Sequence, residues 1–126
     1  MKIIIVDDDR TTLTVLGALL QSRGHEVIER DRAIGTTLAI LREKPDVVLL
    51  DVRMPGLDGD KLAALIGQDP GHRPIVVLHS SLPRDELGEL AKSSGAAGFV
   101  SKSGDPGVFL TEFDQVVANA RARKRA

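Results

Sequence analysis

The sequence predicts an α/β fold, a doubly wound parallel sheet of five strands with five helices packed around it. Three observations predict it. Short apolar runs alternate with longer stretches of helical periodicity, the pattern of repeated βαβ units. The run Val47-Val48-Leu49-Leu50 is apolar on both faces, as a buried parallel strand requires. Four of the five runs end in a carboxylate, a hydroxyl or an ammonium, and in a parallel sheet these groups emerge together at the edge where open α/β sheets bind ligands. At 126 residues the chain is expected to form one domain over residues 1–126, large enough to bury a real core.

Taken in order, Lys2 to Val6 forms the first strand and runs into Asp7-Asp8-Asp9. Leu13, Leu16, Leu19 and Leu20 fall on one stripe of the first helix; Asp9 can cap its start, and Gly24 can end it in the left-handed conformation. His25 to Arg30 alternates more weakly, as an edge strand does. Ile34, Leu38 and Leu41 mark a second helix, stopped by Pro45. After the third strand and Asp51, Met54 to Gly59 is a turn. Asp58 is placed to cap a third helix carrying Leu62, Leu65 and Ile66. Asp69 to Pro74 is a loop into the fourth strand, Ile75 to Leu78, which leads to His79-Ser80-Ser81. Pro83 suits the first turn of a fourth helix that presents Leu87, Leu90 and Ala91 inward and closes at Gly95. Ala97 to Ser101 is the fifth strand, ending at Lys102. Phe109, Phe113, Val116 and Ala120 then mark a C-terminal helix with a frayed, basic tail.

Composition narrows the functional classes. A formal charge of −1 provides no whole-molecule attraction to nucleic acid or to an anionic membrane. The basic run Arg121-Ala122-Arg123-Lys124-Arg125 has no interleaved aromatics and sits at a helix C-terminus, where cations are favoured anyway, so it reads as a solvated helix end. The absence of cysteine excludes disulfides and thiolate sites. The first apolar run is too short to span a membrane and lacks a signal-peptide cleavage region, which makes a cytoplasmic protein the default expectation. With three Phe and neither Trp nor Tyr, the core is built from Leu, Val, Ile and Ala.

The chemistry gathers at the strand ends. Carboxylates of Asp7, Asp8 and Asp51 converging on one edge would repel one another unless a cation sat among them. Mg²⁺ suits such a site, because it prefers hard oxygen ligands and leaves a position for a phosphate oxygen. A neutralised carboxylate can then attack a phosphoryl group and hold it as an acyl phosphate. Lys102 would supply a second cation, and Ser80 a hydroxyl donor to a phosphoryl oxygen. Taken alone, the Asp7-Asp8-Asp9 run is equally well a solvated turn, and a lone Ser80 or Lys102 means little. The coincidence of all of them at matching strand ends carries the argument.

These residues bring the chain close to a known family. Val6-Asp7-Asp8-Asp9, Leu49-Leu50-Asp51-Val52-Arg53-Met54-Pro55-Gly56-Leu57-Asp58-Gly59, Ser80, and Gly95-Ala96-Ala97-Gly98-Phe99-Val100-Ser101-Lys102 resemble the receiver domain of two-component response regulators over essentially the whole length. The resemblance implies a flavodoxin-like sheet of order 2-1-3-4-5. It also implies that Asp51 is the phosphoacceptor, Asp8 a direct Mg²⁺ ligand, Asp7 a ligand through metal-bound water, and the Arg53 carbonyl the last protein ligand. Ser80 would be the switch hydroxyl, Phe99 the aromatic that changes rotamer with it, and Lys102 the phosphoryl-binding ammonium. A histidine kinase or phosphotransfer protein would donate the phosphoryl group. The face of the fourth helix, fifth strand and fifth helix would then change its affinity for a downstream protein.

Two positions depart from the pattern or compete within it. His79 and Ser80 are adjacent candidates for the switch position; the interval from Ser80 to Gly95 and Lys102 fits the family, which leaves His79 as a strand-end residue. Most family members follow the lysine with a cis proline, whereas Lys102 is followed by Ser103. A cis bond without proline costs about 2.5–4 kcal/mol, so the 102–103 bond is expected either trans with a remodelled loop or cis and strained. The alternative function is a degenerate receiver that binds partners constitutively without phosphorylation. An aspartyl phosphatase or mutase is disfavoured because 126 residues leave no cap domain and the Asp51 motif would go unexplained. The expectation is therefore a signalling module that turns over no external substrate.

Overall fold

In a computed structural model describing residues 1–66, 73–102 and 104–125, strands and helices alternate strictly along the chain. The elements are β1 (Lys2–Val6), α1 (Arg10–Ser22), β2 (Glu26–Arg30), α2 (Thr36–Glu43), β3 (Val47–Asp51), α3 (Gly59–Ile66), β4 (Ile75–Ser80), α4 (Arg84–Ser94), β5 (Gly98–Ser101) and α5 (Pro106–Arg125). All strand pairs are parallel, in the order β2-β1-β3-β4-β5, the expected flavodoxin-like arrangement. The order reverses between β1 and β3, and crevices of this kind at the carboxyl ends of strands are where such sheets hold ligands.

Period-two alternation divides each apolar run between two layers. Ile3, Ile5, Val47, Leu49, Ile75 and Val77 pack beneath α1 and α5 with Leu13, Leu16, Leu20, Phe109 and Phe113. Ile4, Val6, Val48, Leu50, Val76 and Leu78 pack beneath α2, α3 and α4 with Ile40, Leu87 and Ala91. Helix ends follow local chemistry. Asp9 accepts from the Thr11 amide at the start of α1, and Asp58 accepts from the Lys61 amide at the start of α3. Gly95 closes α4 at φ 84°, a conformation that needs glycine.

Three sequence expectations shift. Ile34 falls before α2, and Leu38 and Leu41 lie on it without forming its buried face: the three are 83%, 58% and 45% exposed, and Thr36, Ala39 and Ile40 face the sheet. The cause is the left-handed Gly35, which starts the helix at Thr36 and rotates its phase away from the large aliphatics. On α5 the buried row is Phe109, Phe113, Val117 and Ala120. Val116 lies to one side against Gly98, where a Cβ would come within 2.8 Å of it. The basic tail does not fray as expected, since α5 continues through Arg125 and Arg123 and Lys124 donate to the carbonyls of Ala97 and Arg73. The side chain of Leu62, most of the 69–74 loop and the 102–103 peptide bond fall outside the described residues, among which every peptide bond is trans. No described helix is long and apolar enough to cross a membrane.

Candidate functional site

The register of the sheet sets the site. Val6 pairs with Leu50, Asp51 with His79, and Ser80 with Ser101, so Asp7, Asp8, Asp51, Ser80 and Lys102 meet at the carboxyl edge of β1, β3, β4 and β5. Asp7 and Asp51 are almost wholly buried, at 1% and 4% exposure, whereas Asp8 is exposed. One carboxylate oxygen from each of the three lies within 4.8 Å of the others. Asp7 Oδ1 accepts from the Asp9 amide at 2.9 Å, and Asp51 Oδ1 accepts from the Arg53 amide at 2.9 Å. The Arg53 side chain is exposed, so its backbone is what meets Asp51.

Lys102 neutralises part of this charge. Its ammonium lies 3.0 Å from Asp7 Oδ2 and 3.2 Å from Asp51 Oδ2. Burial alone would lower the lysine pKa, but contact with Asp7 and the charge of Asp51 outweigh it and hold Lys102 above its ordinary value. The approach to Asp7 is an ion-pair contact without hydrogen-bond alignment, which leaves that buried oxygen with acceptor capacity to spare. A buried, under-used carboxylate oxygen beside two more carboxylates is a donor set suited to a hard divalent cation.

Strand alternation separates the two rival side chains. Ser80 continues the Val76 and Leu78 side; it is fully buried, and its hydroxyl oxygen accepts from the Leu82 amide at 3.1 Å. His79 continues the Ile75 and Val77 side. Its ring meets Phe109 edge-on, centroids 5.5 Å apart, in a cavity of about 210 Å³ between α1 and α5. Burial, and then the charge of Lys102, push its pKa down to about 4. Because the unfolded value lies near 6.5, protonation favours unfolding: stability is fully present above about pH 6.5 and is lost as the pH falls toward 4. His79→Leu is expected to remove about 2–3 kcal/mol of the stability difference between pH 7 and pH 4.5. Urea titrations at the two pH values check this, and parallel losses in variant and wild type would contradict it.

Phe99 is partly buried on the α4 side, with the Arg84 guanidinium 5.2 Å from its ring centroid. The sequence reading missed Arg84. A cation in the first turn of a helix opposes the helix dipole, and that local misfit was the available signal.

Fold and site together define a class, an open parallel α/β domain with an acidic cluster and a lysine at its carboxyl edge. The chain belongs to the response regulator receiver domain family, whose model matches residues 3–114. It is 34% identical over 119 residues to the protein PilH of Pseudomonas aeruginosa, covering 93% of this chain and 98% of that protein. Against the response regulator PleD of Caulobacter vibrioides the identity is 33%, but the chain spans only 29% of that longer protein. The BeF3-activated N-terminal receiver domain of Klebsiella pneumoniae RstA superposes with a TM-score of 0.79 at 33% identity, covering 93% and 98% of the two chains. The chemotaxis regulator CheY4 of Vibrio cholerae shares the fold, with a TM-score of 0.81 at 22% identity over 91% of this chain and 97% of that one. Phosphorylation and Mg²⁺ are typical of the family.

Proposed function

We propose that this domain is a phosphorylation-dependent switch that accepts a phosphoryl group on Asp51 from a histidine kinase or phosphotransfer protein. One observation carries the reading: Asp51, 4% exposed at the end of a core strand, meets Lys102 at 3.2 Å and lies among the carboxylates of Asp7 and Asp8. An ionised carboxylate is seldom buried at the end of a core strand without a partner or a task. Asp7, Asp8, Asp51 and the Arg53 carbonyl would hold Mg²⁺, which supplies neutralisation of the carboxylate and phosphoryl charge when bound.

The residues of the chain do the rest. An Asp51 carboxylate oxygen attacks the donor phosphorus; the new O–P bond forms as the donor N–P bond breaks, and the leaving imidazole takes the freed electron pair. Lys102 transfers its ammonium from the Asp51 carboxylate to a phosphoryl oxygen. The Ser80 hydroxyl, now accepting from Leu82, turns to donate to another. Phe99 moves into the space so vacated, and the α4–β5–α5 face changes its affinity for a downstream protein. The same site hydrolyses the acyl phosphate, and no external substrate is turned over.

Incubation with phosphoramidate and Mg²⁺ is expected to add one phosphoryl mass to the intact chain, absent in EDTA, and borohydride reduction, which expels the phosphate and leaves homoserine, is expected to mark position 51. An unchanged mass would support the constitutive-binding alternative instead.

A further inference from the structure

Arg84, the first residue of α4, ties three elements together. Its Nη1 donates to Ser101 Oγ on β5 at 3.1 Å and to Glu112 Oε1 on α5 at 3.2 Å, and its guanidinium covers the Phe99 ring. The other Glu112 carboxylate oxygen is buried without a hydrogen bond, so Arg84 is the cation on which that carboxylate depends among the described residues. Arg84 pays for this placement, because an arginine in the first turn opposes the helix dipole and Pro83 offers no side-chain cap.

The chain also links this contact to the acidic site. The Ser80 hydroxyl accepts from the Leu82 amide, and only Pro83 separates Leu82 from Arg84. A Ser80 hydroxyl that turned toward a phosphoryl oxygen would leave that amide unpaired and free the 81–84 segment to shift, carrying Arg84 with it. We propose that Arg84 is a latch: it holds Phe99 and α5 in the unphosphorylated arrangement, and phosphorylation releases it through Ser80 and Leu82. This rests on the switch reading above and adds to it a residue of restraint. A group that contacts only one of two states biases the equilibrium by its differential interaction with them.

The chain has three phenylalanines, so labelling with 4-fluorophenylalanine yields three ¹⁹F resonances, one of them from Phe99. Titration with beryllofluoride and Mg²⁺, an acyl-phosphate mimic, follows that resonance in wild type, Arg84→Ala, Arg84→Lys and Glu112→Gln. In Arg84→Ala the free protein is expected to start part-way toward the saturated position. Its half-saturation should fall about threefold to tenfold, as suits a pair of exposed contacts of this kind. Glu112→Gln should shift in the same direction, and Arg84→Lys, which keeps the charge but loses the planar fork, should fall between. Arg84 is 61% exposed, so the variants are expected to fold. A wild type that responds while Arg84→Ala and Glu112→Gln match it overturns the latch alone. A wild-type Phe99 resonance that ignores saturating beryllofluoride overturns the switch reading, and the latch with it.

Discussion

Replacing Lys102 with alanine is expected to destabilise the domain by about 3 kcal/mol in divalent-free buffer, and millimolar Mg²⁺ is expected to restore most of the loss. Asp7 and Asp51 are both almost completely buried, and among the described residues Lys102 is the ammonium that touches both. Removing it leaves two carboxylates desolvated without a cation, a change measured against a total stability of only about 5–15 kcal/mol. A metal held by the same carboxylates replaces the missing charge, so the variant should depend on Mg²⁺ more steeply than wild type does. The lysine pKa is raised in the fold, which means that its contribution is present throughout the neutral range and is lost only as the pH rises past the lysine region. Urea unfolding with EDTA and with Mg²⁺ tests both halves. A loss that Mg²⁺ leaves untouched would show that Lys102 stabilises the fold by packing rather than by charge.

Asp51→Asn is expected to abolish phosphoryl uptake and to move stability the other way, raising it by about 1 kcal/mol without divalent cations. The amide keeps an oxygen to accept from the Arg53 backbone, so the turn after β3 survives. What disappears is one of three negative charges within 4.8 Å. At that distance each repulsion amounts to about 3 kcal/mol for an effective dielectric of ~20, and the lost attraction to Lys102 offsets much of the relief. Intact mass after phosphoramidate treatment and a urea midpoint in EDTA read the two effects separately. Uptake by the variant would place the acceptor elsewhere. A loss of stability like that of the Lys102 variant would mean that the carboxylate is compensated more fully than its neighbours suggest.

The site was legible in the sequence because it is built from strand ends. Continuous apolar runs identify buried parallel strands without knowledge of the fold, and whatever follows such a run must emerge at an edge. Asp7, Asp8, Asp51, Ser80 and Lys102 are therefore readable as neighbours before any contact is known. The helices were less legible. Ile34, Leu38 and Leu41 have helical spacing, but the left-handed Gly35 starts α2 only at Thr36, which leaves Ile34 outside the helix and gives the sheet-facing positions to Thr36, Ala39 and Ile40. Val116 and Val117 have the same composition, and only the packing of α5 distinguishes them, with Val117 in the core and Val116 beside Gly98.

By itself, the sequence determined the fold class, the order of elements and the residues that reach the carboxyl edge, since these follow from periodicity and from which groups tolerate burial. Tertiary structure alone decided the pairings: Lys102 shared between Asp7 and Asp51, Ser80 bonded to Leu82, His79 turned toward Phe109, and Arg84 spanning Phe99, Ser101 and Glu112. The physical reason is range. Hydrophobic patterning is local along the chain, whereas a charged side chain takes its partner from whatever the packing of distant segments brings within about 4 Å.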